Sequence, residues 1–467
     1  MAAEDEKLHI VMFPWLAFGH MIPYLELAKL IAQKGNRISF VSTPRNIDRL
    51  PKLSPNLSIE FVKLPLPKVD NLPENAEATS DLPYDVVPLL KKAYDSLEEP
   101  MRKFLQSSNP DWVLYDFAPY WVGKVGAEMG IKTCFFSIFN AACLGFLGPP
   151  NEMMGDGPIR TQPEQFVVSP KWVPFPSPVR FRYFEIMRIA KGIVPNDSGV
   201  SDIYRIGASA KNCDLVSVRS CSEFEPEWLD LTQTIYEKPV IPVGQLPTTG
   251  GDNGDDDNET WLLMKEWLDQ QKKGTVVYIA FGSEAKPTQE ELNEIALGLE
   301  KSELPFFWVF RARCGEYDPN ALKLPDGFEK RTKGRGLVWT SWAPQLKIIA
   351  HEAIGVFLSH SGWSSVVEAI QFEKSLVLLT CLADQGINAS VLEEKKMAYS
   401  IPRDEHDGSI TSDDVAESLK LVLFKEEGKI YRERIKEMKE IFVNKERQDS
   451  YVDSFLNYLK VNKRVNY

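Results

Sequence analysis

The sequence lacks the features of secreted, membrane-spanning and disulfide-rich proteins. Its N-terminus, MAAEDEKLHIVMF, has no basic stretch followed by an uninterrupted apolar run, so no secretory signal is predicted. The most apolar segment, residues 134–148, is shorter than the ~20 residues that span a bilayer. The six cysteines form no CxxC pair. We therefore expect a cytoplasmic protein with no membrane span and with reduced, mostly buried thiols.

Positive charge and nucleotide-binding glycine motifs are also scarce. The 54 basic residues are outnumbered by 66 acidic ones, and the net charge of −12 opposes binding to nucleic acid or anionic lipid. Neither a Gly-x-Gly-x-x-Gly turn nor a P-loop occurs, which excludes the common dinucleotide and P-loop sites. No histidine or cysteine cluster has metal-ligand spacing. We expect no nucleic-acid partner, no permanently bound cofactor and no metal.

What is present is enough apolar sequence for a large core. The 467 residues are 43% hydrophobic, a length and composition typical of two large domains. A strand at 8–13 precedes a helix at 21–32, and the same alternation restarts at a strand over 275–281. Strand–helix alternation predicts parallel sheets. The predicted fold class is α/β, with two doubly wound Rossmann-like domains facing a cleft.

The predicted domain boundary is an acidic segment. Residues 248–259, TTGGDNGDDDNE, carry five acids, three glycines and no base, and cannot bury enough apolar surface to order themselves. We therefore predict domains over 1–247 and 261–445 with a linker over 248–260. The proline-rich stretch 149–178 predicts a long irregular insertion, and the tail over 428–459 is amphipathic and helical.

The segment HSGWSS, which begins at His360, lies between a strand-like run and the helix-like VVEAIQFE. Backbone N–H groups at such a helix start can bind phosphate. An ordinary helix with a serine cap would have the same sequence pattern. The surrounding residues favour the first interpretation. From Trp342 to Gln385 the chain carries Trp-Ala-Pro-Gln, His-x-Gly-Trp-x-Ser, Glu368 and Asp-Gln. This segment resembles the plant secondary product glycosyltransferase box, and the whole chain resembles the family 1 UDP-sugar glycosyltransferases of plants, which have the GT-B architecture.

The resemblance implies that residues 261–445 bind a UDP-sugar. Trp342 would stack on uracil, Gln345 would bind the nucleoside and Glu368 would accept the ribose hydroxyls. Asp384 and Gln385 would bind the hydroxyls of the donor sugar. The other implied donor-site residues, near the diphosphate and the sugar, are Ser283, Ala343, His360, Gly362, Trp363, Ser364 and Ser365.

The resemblance also implies that residues 1–247 bind the acceptor and that residues 446–467 pack back on them. His20, in FPWLAFGH, would otherwise be interpreted as a helix N-cap; by resemblance it is the general base, with Asp116 as its partner. An imidazole with a pKa near ~6.5 can take the proton of a hydroxyl that attacks the anomeric carbon opposite UDP. Such an attack inverts the anomeric configuration and needs no covalent intermediate.

The box departs from its usual pattern at six positions, which are Ser361, Ser364, Ala369, Glu373, Ser375 and Thr380. Ser364 stands where asparagine normally offers an amide to the diphosphate, and a shorter hydroxyl would reach it through water. FPWLAFGH resembles the branch that adds a sugar to a sugar already attached to a flavonoid, terpenoid or steroid. The stretch from Leu376 to Gly408 is similar to the soyasaponin rhamnosyltransferase type.

The leading hypothesis is a monomeric, inverting glycosyltransferase that transfers rhamnose from UDP-rhamnose to a triterpenoid saponin or another plant glycoside. A UDP-glucose-dependent glucosyltransferase is the alternative, because Gln385 is the residue associated with UDP-glucose. A UDP-sugar epimerase or phosphorylase and a non-catalytic nucleotide- or glycoside-binding protein stay open. Six aromatic residues are candidates either for the acceptor pocket or for the core: Phe117, Tyr120, Phe139, Phe146, Tyr183 and Phe184.

Overall fold

The structure is a computed structural model, and it describes residues 7–157, 160–249, 259–284, 286–313 and 315–464. Two parallel sheets organise this part of the chain. The strands of the first sheet are β1 His9–Phe13, β2 Arg37–Ser42, β3 Ile59–Lys63, β4 Trp112–Tyr115, β5 Lys132–Ser137, β6 Leu215–Val218 and β7 Val240–Pro242. The strands of the second sheet are β8 Val276–Ala280, β9 Phe306–Val309, β10 Gly336–Trp339, β11 Ile354–Ser359, β12 Ser375–Leu378 and β13 Ala398–Ser400.

Helices separate the strands in both halves of the chain. Those of the first half are α1 Phe18–Gln33, α2 Pro44–Arg49, α3 Val87–Asp95, α4 Glu98–Ser108, α5 Val122–Met129, α6 Ala141–Leu147, α7 Pro150–Met154, α8 Tyr183–Ile189, α9 Asp202–Asn212 and α10 Pro226–Tyr236. Those of the second half are α11 Glu259–Asp269, α12 Gln289–Ser302, α13 Phe328–Arg331, α14 Gln345–Ala350, α15 Trp363–Gln371, α16 Gln385–Glu394, α17 Ser412–Leu423, α18 Lys429–Val443 and α19 Lys445–Val461. Short 3-10 turns occur at Thr79–Asp81, Tyr84–Val86, Pro163–Gln165 and Ala190–Gly192.

The sheet topology confirms the predicted α/β class. The first sheet has the order β3-β2-β1-β4-β5-β6-β7 and the second the order β10-β9-β8-β11-β12-β13, with parallel pairing between all neighbours. In each sheet the strand order reverses beside the first strand of that half, which is the doubly wound arrangement. Parallel sheets of this kind place ligands at the carboxyl ends of their strands.

Burial on both faces explains why the central strands are apolar runs. In β1, Ile10 and Met12 belong to one core cluster, whereas Val11 and Phe13 belong to another on the opposite face. A capping box forms at the start of α12, where the sequence has Thr-x-x-Glu. Thr288 N–H donates to Glu291 Oε2 over 2.8 Å, and Glu291 N–H donates to Thr288 Oγ1 over 3.2 Å.

The helical tail is interrupted at Asn444, which caps α19 by accepting from the Arg447 N–H over 2.9 Å. Helix α18 packs on α15 in the second half of the chain, whereas α19 contacts α1 and β7 in the first. Trp112 of β4 holds α19 against the first sheet by donating its indole N–H to Leu459 O over 3.0 Å. One predicted helical tail is therefore two helices, which contact different sheets.

The linker prediction falls largely outside the described residues, because 250–258 are not among them, and the domain boundaries stay a prediction. Four cysteines are free and buried, as predicted: Cys134, Cys143, Cys213 and Cys221. Cys381 is buried as well. Cys314 lies outside the described residues. No helix in the described ranges is both long enough and apolar enough to cross a membrane.

Candidate active site

A cleft with a cavity volume of about 340 Å³ lies between the carboxyl edges of the two sheets. From the first sheet it is lined by residues that follow β1, β4, β5 and β6, and these include His20, Phe117, Phe139 and Arg219. From the second sheet it is lined by residues that follow β8, β11 and β12, and these include Ser283, His360 and Asp384. The cleft therefore brings together residues from both halves of the chain at the edge where such sheets bind ligands.

His20 and Asp116 form a close pair on the first side of the cleft. His20 lies in the first turn of α1, and its Nδ1 is 2.7 Å from Asp116 Oδ2. Asp116 is buried and also accepts the backbone N–H groups of Trp15, over 3.1 Å, and Phe117, over 2.7 Å. These bonds hold the carboxylate in one orientation, so the position of the imidazole is fixed as well.

The pair sets the protonation of His20. Burial by itself lowers the pKa of His20, but the charge and hydrogen bond of Asp116, with smaller contributions from Glu284 and Asp384, raise it above the ordinary value of 6.5. Neutral His20 keeps its proton on Nδ1, which donates to the carboxylate. Nε2 is then the ring nitrogen that can accept a proton, and the arrangement is that of a general base with an orienting carboxylate.

The start of α15 forms the opposite wall. Gly362 is the N-cap, and Ser364 and Ser365 are in the first turn, so their backbone N–H groups lie at the positive end of the helix dipole. All three border the cleft together with His360. Burial lowers the pKa of His360 to about 4, so the imidazole is neutral near pH 7. This wall can bind an anion through backbone N–H groups and a neutral imidazole.

Trp342, Ala343, Gln345 and Glu368 belong to the same half of the chain as this wall, but they are not among the residues that line the cavity. The Trp342 side chain is 66% exposed and offers a free aromatic face, whereas Ala343 is half-buried against the core. Gln345 Nε2–H donates to Glu368 Oε2 over 2.7 Å, and Thr248 Oγ1–H donates to Glu368 Oε1 over 3.3 Å. Burial raises the pKa of Glu368, while these two hydrogen bonds and the charge of Arg219 lower it in part.

The two residues expected to bind the donor sugar, Asp384 and Gln385, both border the cleft but differ in the hydrogen bonds that they already make. Asp384 borders the cleft and accepts a hydrogen bond from Asn388 Nδ2 over 2.8 Å, and burial raises its pKa. Gln385 also borders the cleft, but its Oε1 accepts from the backbone N–H groups of Cys381, over 2.8 Å, and Leu382, over 3.0 Å. The side-chain oxygen of Gln385 therefore shapes the preceding loop, and only the amide nitrogen is left for a ligand.

The indole of Trp363 is held by contacts behind the start of α15. Its N–H donates to Gln245 Oε1 over 3.1 Å, and its ring lies 5.6 Å from Phe224 and 6.2 Å from Phe442. The side chain is buried in the core behind the helix start. The ring fills the space between the α15 start and α18. Trp363 nevertheless borders the cleft, and its closeness to the donor sugar stays a prediction.

Two of the six aromatic candidates border the cleft beside the base. The rings of Phe117 and Phe139 have their centres 5.6 Å and 5.7 Å from that of His20. The other four do not line the cleft: Phe146 is buried behind Phe181, Tyr120 packs on Tyr204 and Arg205, Tyr183 faces His406, and Phe184 packs against Arg188 and Arg403. Tyr120, Tyr183 and Phe184 pack against side chains that do not line the cleft, whereas Phe146 packs against Phe181, which does. A contact between these four and the acceptor stays a prediction.

Three departures from the usual box have structural partners here. Ser364 accepts from Arg219, and Thr380 Oγ1–H donates to the buried Glu185 over 2.6 Å. Glu373 has a φ of 55°, a left-handed conformation that favours the usual glycine, and its carboxylate is 2.6 Å from Lys439 Nζ. The divergence of the box is therefore accompanied by contacts to residues outside it.

Sequence reasoning missed several residues of the cleft. Arg219 directly follows β6, a strand that had not been predicted. Lys91 and Asp202, which are paired, and Phe166 and Phe181, from the stretch expected to be irregular and just after it, also line the cavity. A buried arginine after a short strand and an ion pair formed by distant residues leave no local pattern in the sequence.

Comparison with known proteins decides the family. A family model described as UDP-glucoronosyl and UDP-glucosyl transferase matches residues 230–448. UDP-glycosyltransferase 91A1 of Arabidopsis thaliana is 56% identical over 466 residues, which are 98% of both chains. The chain belongs to the plant family 1 UDP-glycosyltransferases. It is thus an enzyme, a UDP-sugar-dependent glycosyltransferase.

Further similarities agree with this membership. The Soyasaponin III rhamnosyltransferase of Glycine max is 42% identical to the enzyme over 463 residues, which cover 98% of this chain and 96% of the relative. The crystal structure of Arabidopsis thaliana UGT89C1 complexed with UDP-L-rhamnose superposes with a TM-score of 0.74 at 24% identity, over 98% of this chain and all of that one. The latter similarity establishes the GT-B fold, which confirms the predicted architecture.

Proposed function

We propose that the enzyme transfers rhamnose from UDP-rhamnose, with inversion, to a sugar hydroxyl of a triterpenoid saponin or another plant glycoside. The observation that carries this proposal is the His20–Asp116 pair at the wall of a mostly apolar cavity that also meets the start of α15. The similarity to the Soyasaponin III rhamnosyltransferase supports the choice of donor and acceptor class.

The residues that line the cavity suit an apolar aglycone. On the first side, its walls come from Trp15, Leu82, Phe166, Phe181, Ile186 and Ile206. The buried Lys91 lies at the same cavity, with its Nζ 2.5 Å from Asp202 Oδ1. Apolar walls with a small number of polar groups are typical of sites for drug-sized ligands. A terpenoid skeleton would contact the apolar walls, and an oxygen substituent on it would find the ion pair.

The proposed chemistry starts at the acceptor hydroxyl. His20 Nε2 takes the hydroxyl proton while the oxygen forms a bond to the anomeric carbon, and Asp116 stabilises the imidazolium that results. The bond between that carbon and UDP breaks, and its electron pair leaves on the β-phosphate. Because the nucleophile enters opposite the leaving group, the anomeric configuration is inverted. The N–H groups at the start of α15 stabilise the growing negative charge on UDP.

The donor would extend along the second side of the cleft. Trp342 would stack on uracil, Gln345 and Ala343 would contact the nucleoside, and Glu368 would accept the ribose hydroxyls. The diphosphate would lie against the residues that surround the α15 start, namely Ser283, His360, Gly362, Ser364 and Ser365. Asp384 and the amide nitrogen of Gln385 would bind the sugar hydroxyls.

UDP-glucose is the second candidate donor, and Gln385 is the observation that favours it. Gln385 is the first residue of α16 and borders the cleft. It is the residue of the box that is associated with UDP-glucose. Two backbone N–H groups fix its Oε1, so the amide nitrogen has a defined direction. A rhamnosyl donor lacks the 6-hydroxyl of glucose, and a direct comparison of donors therefore decides between the two.

The experiment is a matrix assay of the purified enzyme with product masses as the readout. UDP-rhamnose, UDP-glucose, UDP-galactose and UDP-xylose are each combined with saponin glycosides, flavonoid glycosides and the corresponding aglycones. We expect the mass of a rhamnosyl group on saponin glycosides and no product from aglycones. A hexosyl mass in the same reactions would select UDP-glucose instead.

Reaction with aglycones alone would contradict the sugar-on-sugar assignment. Release of UDP without any new glycoside would mean that water is the acceptor and that the acceptor class is wrong. In both cases the UDP-sugar site would be retained, because donor consumption depends on it and not on the acceptor pocket.

A further inference from the structure

Arg219 reaches across the cleft from the first sheet to the second. It directly follows β6 and borders the cavity, yet only 1% of the residue is exposed. Its Nη1–H donates to Ser364 Oγ over 2.8 Å, at the second residue of α15. The guanidinium is therefore one hydrogen bond away from the helix start that faces the cleft.

The guanidinium is held rigidly at this place. Its Nε–H donates to Gln245 O over 2.8 Å, and its Nη2–H donates to Leu246 O over 3.2 Å. These three bonds use one N–H on each nitrogen. A guanidinium has five N–H groups, so one on Nη1 and one on Nη2 are left. Arginine commonly binds phosphate through a pair of N–H groups, and these two are available for such a bond.

No carboxylate neutralises Arg219 within the described part of the chain, where it takes part in no ion pair. Glu368 and Glu26 act on it only at longer range, and burial lowers its pKa to about 10, so it is charged near pH 7. Lys91, by contrast, also borders the cavity but is paired with Asp202. A buried cation without a paired anion is costly unless a ligand supplies the anion.

We propose that Arg219 binds the diphosphate of the UDP-sugar, together with the N–H groups at the start of α15. Arg219 thereby replaces the amide that is missing where Ser364 stands for the usual asparagine. Because His360 is neutral, Arg219 supplies the permanent positive charge next to the β-phosphate as UDP leaves. The inference deepens the proposed function and rests on its donor site, but not on the identity of the sugar or of the acceptor.

The test compares ligands that differ only in the diphosphate. Dissociation constants for UDP and for uridine are measured by calorimetry for the wild type, Arg219→Met and Arg219→Lys. For Arg219→Met we expect UDP binding to weaken ~10- to 100-fold, the range for a hydrogen bond to a charged group, and uridine binding to change less than about 2-fold. Arg219→Lys should lower the UDP-to-uridine preference about 3-fold or more, because lysine lacks the fork.

Arg182→Met is the matched control, because Arg182 also crosses between the halves, with Nη2 2.8 Å from Glu393 Oε1, but lies outside the cleft. It should leave the UDP-to-uridine preference unchanged. Equal weakening of UDP and uridine in Arg219→Met would overturn the inference and make Arg219 a purely structural residue. If Arg219→Met does not fold, Arg219→Lys decides, and an unchanged preference in that variant overturns the inference.

Glu368→Ala, measured in parallel, separates this inference from the donor site on which it rests. If Glu368→Ala weakens UDP binding and the Arg219 variants do not, the inference on Arg219 fails and the donor site stands. If none of these variants affects UDP binding, the diphosphate does not lie at the start of α15 and both assignments fail.

Discussion

The two sides of the cleft each present a histidine at the carboxyl edge of a sheet. The pKa values of the two imidazoles are shifted in opposite directions. His20 follows β1, a central strand of the first sheet, and His360 follows β11, a central strand of the second. Burial acts on both side chains and lowers the pKa of each. The net pKa of His20 is nevertheless raised, whereas that of His360 falls to about 4.

The buried carboxylate of Asp116 makes the largest contribution to this difference. Asp116 lies 2.7 Å from His20, with smaller contributions from Glu284 and Asp384, while none of the acidic residues that the structure describes shifts the pKa of His360. A histidine whose pKa lies near neutrality can exchange a proton during a reaction, whereas a histidine neutral at all physiological pH values can only donate or accept an uncharged hydrogen bond. The first side is thus built for proton transfer and the second for binding a charged ligand.

Removal of the titrating histidine should have the largest effect. His20→Ala deletes the proposed base, and we expect kcat for transfer to fall by ~10²- to 10⁴-fold. Affinity for UDP should stay within about 2-fold, because UDP is proposed to lie on the other side of the cleft. Steady-state kinetics and calorimetry with UDP measure the two quantities. Transfer at the wild-type rate would mean that another group accepts the proton.

Asp116→Asn would make the surroundings of His20 resemble those of His360. Without the carboxylate, burial dominates and lowers the pKa of His20, and the imidazolium formed during transfer loses its stabilising charge. We expect kcat/KM to fall by about 10²-fold, within the usual contribution of acid–base catalysis.

The pH profile gives the sharper readout for the same variant. In the wild type kcat/KM should rise with pH through a value above 6.5, since the base must be neutral and its pKa is raised. In Asp116→Asn this limb should shift to lower pH. A limb that stays at the wild-type position would show that the group seen in the profile is not His20.

Substitution of Glu368 tests whether the second side of the cleft binds UDP. Glu368→Ala removes a buried carboxylate that accepts hydrogen bonds from Gln345 and Thr248 and is proposed to accept those of the ribose. We expect UDP affinity to fall ~10-fold or more, from the loss of hydrogen bonds to a charged group, while kcat at saturating donor changes less. Calorimetry with UDP measures the affinity. Unchanged affinity would reject the ribose role.

Most strands that the sequence predicts lie inside their sheets, although the edge strand β10 was predicted as well. Central strands such as β1 and β11 are buried on both faces, read as apolar runs and were predicted. The strands β3, β7 and β13 were missed. They lie at the edges of the sheets, and β3 and β7 have no fully buried residue, so they lack that run. The short β6 was missed with them.

The same distinction applies to the site. His20, Asp116 and the α15 start could be named because their motifs resemble those of a known family, although the 2.7 Å contact across 96 positions is a property of the fold. Arg219 could not be named, because its partner Ser364 is 145 positions away and no motif joins them. Nor does the sequence reveal the pKa of His360, which depends on burial in the folded chain.

The smallest effect is expected at His360, the uncharged member of the pair of histidines. Glutamine also offers a neutral N–H, so His360→Gln should raise the Kd of UDP only about 2- to 10-fold, the contribution of one neutral hydrogen bond. Because burial lowers the pKa of His360 to about 4, the ratio between the Kd values of the variant and the wild type should be constant from about pH 6 to pH 8. Calorimetry at several pH values measures this ratio, in which the ionisation of UDP itself cancels. A ratio that grows as the pH falls would mean that His360 takes up a proton when UDP binds. Both histidines of the cleft would then change protonation during the reaction cycle, and only their pKa values would differ.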